Sequence, residues 1–446
     1  MKLDASHGVA DASRHARQKA VLLGLHLPRD PVTYDAPLEE LARLADTAGF
    51  EVVDRVVQRL QRPVATTFIG KGKALEVGAL AKALGAIVVI VDHDLSGAQS
   101  RNLHKTMDVP VMDRTELILD IFARRARTVE AKAQIELAQM EYSLPRLKRL
   151  WTHLSREVGS AKAGTGSRGP GEKQIETDRR LVRYRIQQLR EEIEEMQTRR
   201  RRRVEARGKL FTVALVGYTN AGKSTLMNAL TGADVLVEDR LFATLDTTTR
   251  AWDVRPGRRV FLSDTVGFIE DLPHHLVASF LSTLEEARRA DLLLHVIDAH
   301  DPDALQHVKA VEETLSRIDA GGVPRIAVLN QVDRVTEPLA LRVLEERLAG
   351  SVRVSALTGE GLDRLGQVVL EAADRRSREV TVVTSPGNGR LLARLREWGS
   401  VDEVTFPGAE ARVRMRLSPR HFAPVRREGG TILDSDGRTI EPDVEA

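Results

Sequence analysis

The 446-residue sequence predicts an α/β protein in four parts. These are a small N-terminal parallel α/β domain over 1–120, a helical hairpin over 121–208, a phosphate-loop α/β domain over 209–376, and a small C-terminal α+β module over 377–446. Three observations carry the prediction. Strand-like apolar runs alternate with helical patterns in two separate stretches, which is how parallel sheets covered by helices are written in sequence. The region between them has helical periodicity only. The length exceeds one ordinary domain, and 42% hydrophobic with 29% charged residues is a globular composition.

In the first stretch, Ala20–Leu27 is a short apolar run of buried-strand type. Leu38, Leu41, Leu44, Ala45 and Ala48 then recur at helical spacing and stop at Gly49. Val52–Val57 is a β-branched strand, and a helix is expected from Lys73 to Leu84, closed by Gly85. Ile87–Val91 is a strand ending at Asp92, Ser96 opens another helix, and Val109–Met112 closes the series. Gly70-Lys71-Gly72-Lys73 resembles a phosphate cradle but lacks the spacing of any nucleotide motif, so it reads as the turn into a helix.

From Leu117 to Leu154 the pattern is wholly helical, with Pro145 as the one interruption. Gly164–Gly171 reads as loop. After it, Val182, Ile186, Leu189, Ile193 and Met196 recur at 4-3-4-3 spacing, an apolar seam for a partner helix. A hairpin with the glycine loop at its tip is therefore expected. Arg199–Arg203 is a run of five arginines, and Gly208 marks a junction. Between Met140 and Leu210 there are 19 Lys+Arg against 10 Asp+Glu, an excess of nine in a chain whose total is +3. Such concentration suits a solvated helical face or a phosphate-rich partner such as RNA.

The last segment reads as a β-α-β-β module: strand Val380–Val383, helix Gly389–Glu397, strand Val401–Phe406, and a final strand. There Val413, Met415 and Leu417 alternate with Arg412, Arg414 and Arg416. No catalytic constellation is visible in it. Composition excludes several functions outright. With no cysteine there is no disulfide framework, thiolate metal site or cysteine nucleophile. The 12 histidines show no ligand spacing, and no nucleophile elbow occurs. The longest apolar run, Ala86–Val91, is far short of the roughly 20 residues of a membrane span. Met1–Ala20 has no apolar core of signal type, so a cytoplasmic protein is expected, and a monomer is expected as well.

Chemistry concentrates in the third segment. Thr212–Val216 is a buried strand, followed at once by Gly217, Tyr218, Thr219, Asn220, Ala221, Gly222, Lys223 and Ser224, and then by a helix from Thr225 to Leu230. This is the G-x-x-x-x-G-K-[ST] loop in its strand–loop–helix setting. Its glycines let the backbone curl so that successive N–H groups aim at a β-phosphate, and the helix N-terminus adds its dipole. Lys223 bridges the β- and γ-phosphates, while the Ser224 hydroxyl ligates Mg²⁺. Val260–Ser263 is a strand ending in Asp264, Thr265, Val266 and Gly267. Asp264 there holds a Mg²⁺-bound water, and Gly267 brings its N–H to the γ-phosphate. Ile326–Leu329 is a strand ending in Asn330, Gln331, Val332 and Asp333. The Asp333 carboxylate accepts from both N1–H and the 2-amino group of guanine, donors that adenine lacks. Val352–Val354 leads into Ser355, Ala356 and Leu357, where a backbone N–H can reach the guanine O6. Four motifs in order, each at the C-terminal end of a strand, point to a P-loop GTPase domain holding GTP/GDP and Mg²⁺.

The match narrows further. Gly217–Thr225 (GYTNAGKST), Leu241–Arg250 (LFATLDTTTR), Asp264–Phe268 (DTVGF) and Leu293–Ala299 (LLHVIDA) resemble the HflX family of translation-factor-class GTPases. So do Phe68–Lys73 (FIGKGK), Asp113–Arg127 (DRTELILDIFARRAR) and Arg168–Arg180 (RGPGEKQIETDRR), outside the GTPase segment. The resemblance spans about residues 20 to 360. It implies a cytoplasmic GTPase that binds ribosomes, mainly the large subunit and its RNA, and splits or rescues stalled ones under stress. It also implies that the N-terminal domain and the hairpin reach into ribosomal RNA. Resemblance to the related Obg-type phenylalanine–x–threonine–leucine pattern covers Phe242, Ala243, Thr244 and Leu245, with Asp246 next. It puts Thr244 on Mg²⁺ and the γ-phosphate, with Thr248 as runner-up. Lys223 and Thr244 are then the expected catalytic residues, and Ser224, Thr244 and Asp264 the expected metal ligands.

One residue of the matched motifs bears on mechanism, and two others depart from the usual patterns. Phe268 stands where Ras-like proteins use a water-orienting glutamine, so slow intrinsic hydrolysis, accelerated by a ribosome, is expected. Gln331 replaces the usual lysine, which predicts weaker guanine affinity with selectivity kept by Asp333. Lys173 stands where the family commonly has threonine. Two other functions fit the same residues. One is an RNA-binding scaffold in which the first 208 residues act and nucleotide locks a conformation. The other is an ATP-driven RNA remodeller using the N-terminal domain, although no Walker-type loop lies there.

Overall fold

Three β-branched or leucine-rich runs and the short Val111–Asp113 form the first sheet of the computed structural model. β1 (Gln18–His26) lies between β2 (Phe50–Arg59) and β3 (Val88–Val91), with β4 (Val111–Asp113) outside β3, all parallel. The structure describes residues 17–28, 38–150, 170–206, 211–232, 241–242, 248–256, 258–269, 285–375 and 377–440. Of these, the side chains at 147–150, 170–176, 178, 200–206 and 420 are not among the described ones. The chain divides into two compact units, Met1–Ala126 with Lys132–Arg190, and Arg127–Ala131 with Glu191–Ala446.

In the first unit, α1 (Glu39–Thr47), α2 (Lys71–Ala83), α3 (Gly97–Met107) and α4 (Arg114–Arg125) follow the strands in turn. Helices on both faces bury the strands, which is why Val88–Val91 is apolar throughout instead of alternating. Ser96 and Gln99 cap each other to start α3. A Cβ on Gly78 of α2 would lie 2.4 Å from the Met107 carbonyl oxygen, so α2 and α3 approach this closely only through glycine. Gly70 immediately precedes α2, and its N–H is held by Gln58 Oε1 at 3.0 Å.

The expected single helix from Leu117 to Leu154 is corrected. Its break lies at Ala126–Thr128, and Pro145 sits inside α5 (Val129–Leu150). Thr128 Oγ1 accepts from Ala131 N at 3.1 Å, a cap that starts a new helix, whereas Pro145 removes one hydrogen bond from a long one. α6 (Pro170–Ala206) buries Ile186, Leu189 and Ile193, and the ion pairs Arg185–Glu136 and Arg190–Glu141 join it to α5. Pro170 and Gly171, read as loop, belong to the first turn of α6, where a proline's missing N–H has no partner to lose. Residues 164–169 of the expected loop, the Lys173 side chain, the side chains of Arg200–Arg203 and Gly208 lie outside the described set.

The second unit is built on β5 (Thr212–Gly217), β6 (Thr248–Arg255), β7 (Arg258–Asp264), β8 (Leu292–Asp298), β9 (Arg325–Asn330) and β10 (Val352–Arg353). Their order is β10-β9-β8-β5-β7-β6, parallel except for β6 against β7. α7 (Lys223–Thr231), α8 (Ala304–Arg317), α9 (Pro338–Arg347) and α10 (Leu362–Arg375) complete it around a core of Leu215, Leu226, Leu262, Leu294 and Val328. Beyond it, β11 (Arg378–Thr384), α11 (Gly389–Trp398), β12 (Gly399–Thr405) and β13 (Ala411–Leu417) are joined by α12 (Phe422–Arg427) and β14 (Thr431–Leu433). The C-terminal module is thus β-α-β-β-α-β with an antiparallel order β12-β13-β11-β14, not β-α-β-β. Its last helix and strand are too short for periodicity to reveal. No described helix is long and apolar enough to cross a membrane.

Candidate functional site

Strand order in the second unit reverses at β5, and the loop leaving its C-terminal end is where an α/β fold places a ligand. Geometry there demands particular residues. A Cβ on Gly217, at φ +155°, would meet the Val296 carbonyl oxygen at 2.2 Å; one on Gly222, at φ +85°, would meet Asn330 Nδ2 at 2.4 Å. Asn220 also takes a left-handed φ of +65°. The chain therefore curls from Gly217 to Gly222 and delivers Lys223 to the first turn of α7. Tyr218 turns inward and stacks on His307 of α8, rings 3.7 Å apart at 10°.

Lys223 is buried, and its Nζ donates to the carbonyls of Gly217 at 3.0 Å and Tyr218 at 2.7 Å. Burial pushes its pKa down to about 8, opposed by the charge of Asp264. An anionic occupant would offset that burial. Ser224 Oγ donates to Asp264 Oδ2 at 2.6 Å, and Asp264 ends β7 with no exposure. Thr265 Oγ1 is tied to the Leu215 carbonyl at 2.7 Å, and Val266 is buried. A Cβ on Gly267 would come within 2.8 Å of Thr219 Cγ2 and 3.1 Å of Lys223 Nζ, so this loop lies against the phosphate loop. The buried Thr219 Oγ1 has no hydrogen-bond partner among the described residues. A phosphate oxygen would supply one.

Phe268 is buried as well. Its N–H donates to the Gly217 carbonyl at 3.1 Å, and its own carbonyl accepts from Thr219 N at 2.8 Å. Of the residues from Phe242 to Asp246, Phe242 is buried at φ +56°, whereas Ala243, Thr244, Leu245 and Asp246 lie outside the described residues. Thr248 begins β6.

The residues expected at the base gather at the end of β9. Asn330 is buried; its Nδ2 donates to the Ala221 carbonyl at 2.9 Å, and its Oδ1 accepts from Ala356 N at 3.1 Å. One side chain thus staples the phosphate loop to the loop after β10. Gln331, at φ +63°, donates from Nε2 to Asp298 Oδ2 at 2.8 Å. Asp333 is exposed in the short 3₁₀ turn Val332–Arg334. Ser355 is buried, its Oγ accepting from Thr358 N at 3.1 Å, and Leu357 is exposed. Sequence reasoning missed His307, Asp298 and Arg334. Asp298 had a signal, since it ends a strand of the same sheet.

Chemically, the arrangement offers a curled backbone and a buried cation to a polyphosphate. A hydroxyl and a carboxylate stand side by side for a hard cation. Ser224 and Asp264 fit Mg²⁺, which takes one or two protein oxygens and completes its shell with phosphates and water. No group of three His, Cys, Asp or Glu residues able to hold a metal occurs among the described residues.

Families described as GTP-binding GTPase N-terminal, GTP-binding GTPase middle region and 50S ribosome-binding GTPase match residues 35–123, 125–207 and 212–331. A GTPase HflX of Escherichia coli K12 is 44% identical over 87% of this chain and 90% of its own length. One from Magnetococcus marinus is 45% identical over 94% and 97%. A GTP-binding protein from the archaeon Sulfolobus solfataricus, solved with GDP, is 24% identical over 80% of this chain and 99% of its own, with a TM-score of 0.42.

Proposed function

The chain belongs to the HflX family of GTPases, and from that premise we propose that it is a Mg²⁺-dependent GTPase of the ribosome. In this reading it binds mainly the large subunit and its RNA, works in the cytoplasm as a monomer, and uses the GTP-to-GDP cycle to split or rescue stalled ribosomes. The observation that carries the nucleotide half is the Asn330 staple. It holds the phosphate loop at Ala221 and the base loop at Ala356 together, so that Lys223 and Asp333 can serve one guanine nucleotide. The ribosomal half is supported by the family description matched over 212–331 and by the nine-charge excess between Met140 and Leu210. Residues 1–120, 121–208, 209–376 and 377–446 remain our working division.

When bound, Mg²⁺ would neutralise charge developing on the β- and γ-phosphates. Ser224 and Asp264 would hold it, with Thr244 as the third contributor. Lys223 aligns the phosphoryl tail. Phe268 has no polar side-chain atom to orient water, and both of its backbone groups are engaged by the phosphate loop. Intrinsic hydrolysis is accordingly slow, and a ribosome that reorders the segments around Thr244 and Phe268 speeds it.

Nucleotide-dependent co-sedimentation with purified ribosomal subunits tests this. Binding to the large subunit with a GTP analogue and release with GDP is expected; equal pelleting in both states overturns it. In a subunit-separation assay Lys223→Ala should be inert, and a half-active variant would favour the RNA-binding scaffold instead.

A further inference from the structure

The lysine that usually occupies the second position of the base motif lays its stem over the guanine and brings a positive charge to the phosphate loop. This chain has Gln331 there, and its amide is engaged at both ends. Nε2 donates to Asp298 Oδ2 at 2.8 Å and lies 3.4 Å from the Asn220 carbonyl oxygen. Oε1 accepts from Arg334 Nη1 at 2.6 Å. An amide has one accepting and one donating end, so a carboxylate on one side and a guanidinium on the other fix which way it points. The left-handed turn at Gln331 is what carries the following residues back, so that Arg334, three positions on, faces its side chain.

We infer that Arg334 is a positioning residue of the nucleotide site, restoring through Gln331 the cation that this base motif lacks and holding the Gln331 stem flat for the guanine ring. The inference rests on reading Asn330–Asp333 as the base site. It also explains why Gln331 and Arg334 belong together. A lysine at 331 has three donors and no acceptor, so it could serve Asp298 and Asn220 but would set one cation against another at Arg334. Gln331 and Arg334 are exchangeable only as a pair.

Fluorescent-GDP titration of the full chain tests the coupling. Arg334→Met should weaken GDP about three- to tenfold, the effect of losing one exposed charge-assisted bond. Arg334→Lys should recover most of that loss. Gln331→Lys alone should give no gain, while Gln331→Lys with Arg334→Met should bind as tightly as the parent or better. Additive changes in log Kd, or an Arg334→Met within twofold of the parent, overturn the inference. GTP-over-ATP preference in the same proteins separates the layers. No preference in the parent sinks the base-site reading and this inference with it. A retained preference with additive substitutions sinks this inference alone.

Discussion

Two parallel sheets in this chain end in the same kind of edge and use it in opposite ways. Each reverses its strand order beside its first strand, β2-β1-β3-β4 in one and β10-β9-β8-β5-β7-β6 in the other. At β5 that edge is lined by curled backbone, Lys223 and the Ser224–Asp264 pair. At the N-terminal sheet the protein fills it with its own charges. Arg114 sits between Asp92 Oδ1 at 2.7 Å and Glu40 Oε2 at 2.5 Å. Asp113 accepts from the Tyr142 hydroxyl at 2.7 Å, Arg146 Nη2 at 2.8 Å and Leu95 N at 3.1 Å. Topology provides a crevice, and side chains decide whether a ligand or an internal ion-pair knot occupies it.

Substitutions can break this contrast. Lys223→Ala should cost roughly 10²–10³-fold in GTP affinity or turnover, as loss of one preorganised charge-stabilising donor does, and leave the N-terminal unit's exchange protection untouched. Stopped-flow nucleotide binding reads the first effect and hydrogen exchange the second. Asp333→Asn should lose roughly 10²-fold in GTP affinity and gain for xanthine nucleotides, because two charge-assisted bonds go and an amide donor arrives. Unchanged GTP affinity would remove Asp333 from the site. Arg114→Met does the reverse: it leaves Asp92 and Glu40 without their cation and should destabilise the N-terminal unit by about 3 kcal/mol. GDP affinity should stay within twofold. A matching loss of GDP affinity would show that the two edges are not independent.

Acidity sharpens the contrast because the two units carry shifts of opposite consequence. His295 in β8 is buried, and burial, aided by the charges of Arg325 and Lys223, pushes its pKa down from 6.5 to about 4. The unfolded chain takes up that proton first. The second unit therefore keeps the associated stability above about pH 6.5 and loses about 2–3 kcal/mol as pH falls toward 4. Burial pushes Asp92 and Asp113 upward despite their cationic and hydrogen-bonding partners. Their contribution is present at low pH and lost as pH rises through the folded values. Hydrogen exchange on the full chain between pH 6.5 and 4 should show the second unit weakening first, with His295→Gln flattening its profile. Equal weakening in both units would contradict the assignment.

The motif residues were legible because each is bound to a local shape. Gly217, Gly222 and Lys223 follow a strand and open a helix, and Asp264 and Asn330 each end a strand. The ion-pair knot was not legible, since Arg114 meets partners 22 and 74 residues away. Pro145 misled because a proline's cost is local, while the cap at Thr128 and the surrounding packing set where the helix ends. Arg334 stood in plain view beside Asp333, yet only the positive φ of Gln331 turns its guanidinium back toward that amide.

Amino-acid order by itself determined that the Gly217–Ser224 loop, the Asp264 loop and the Asn330 loop each leave the end of a strand, because strand, turn and helix are built from neighbours in the chain. Only the tertiary structure decided that Asn330 ties down Ala221, 109 residues earlier, and that Lys223 is buried beside Asp264. Which strands lie side by side determines such meetings, and that adjacency emerges only when the whole sheet packs.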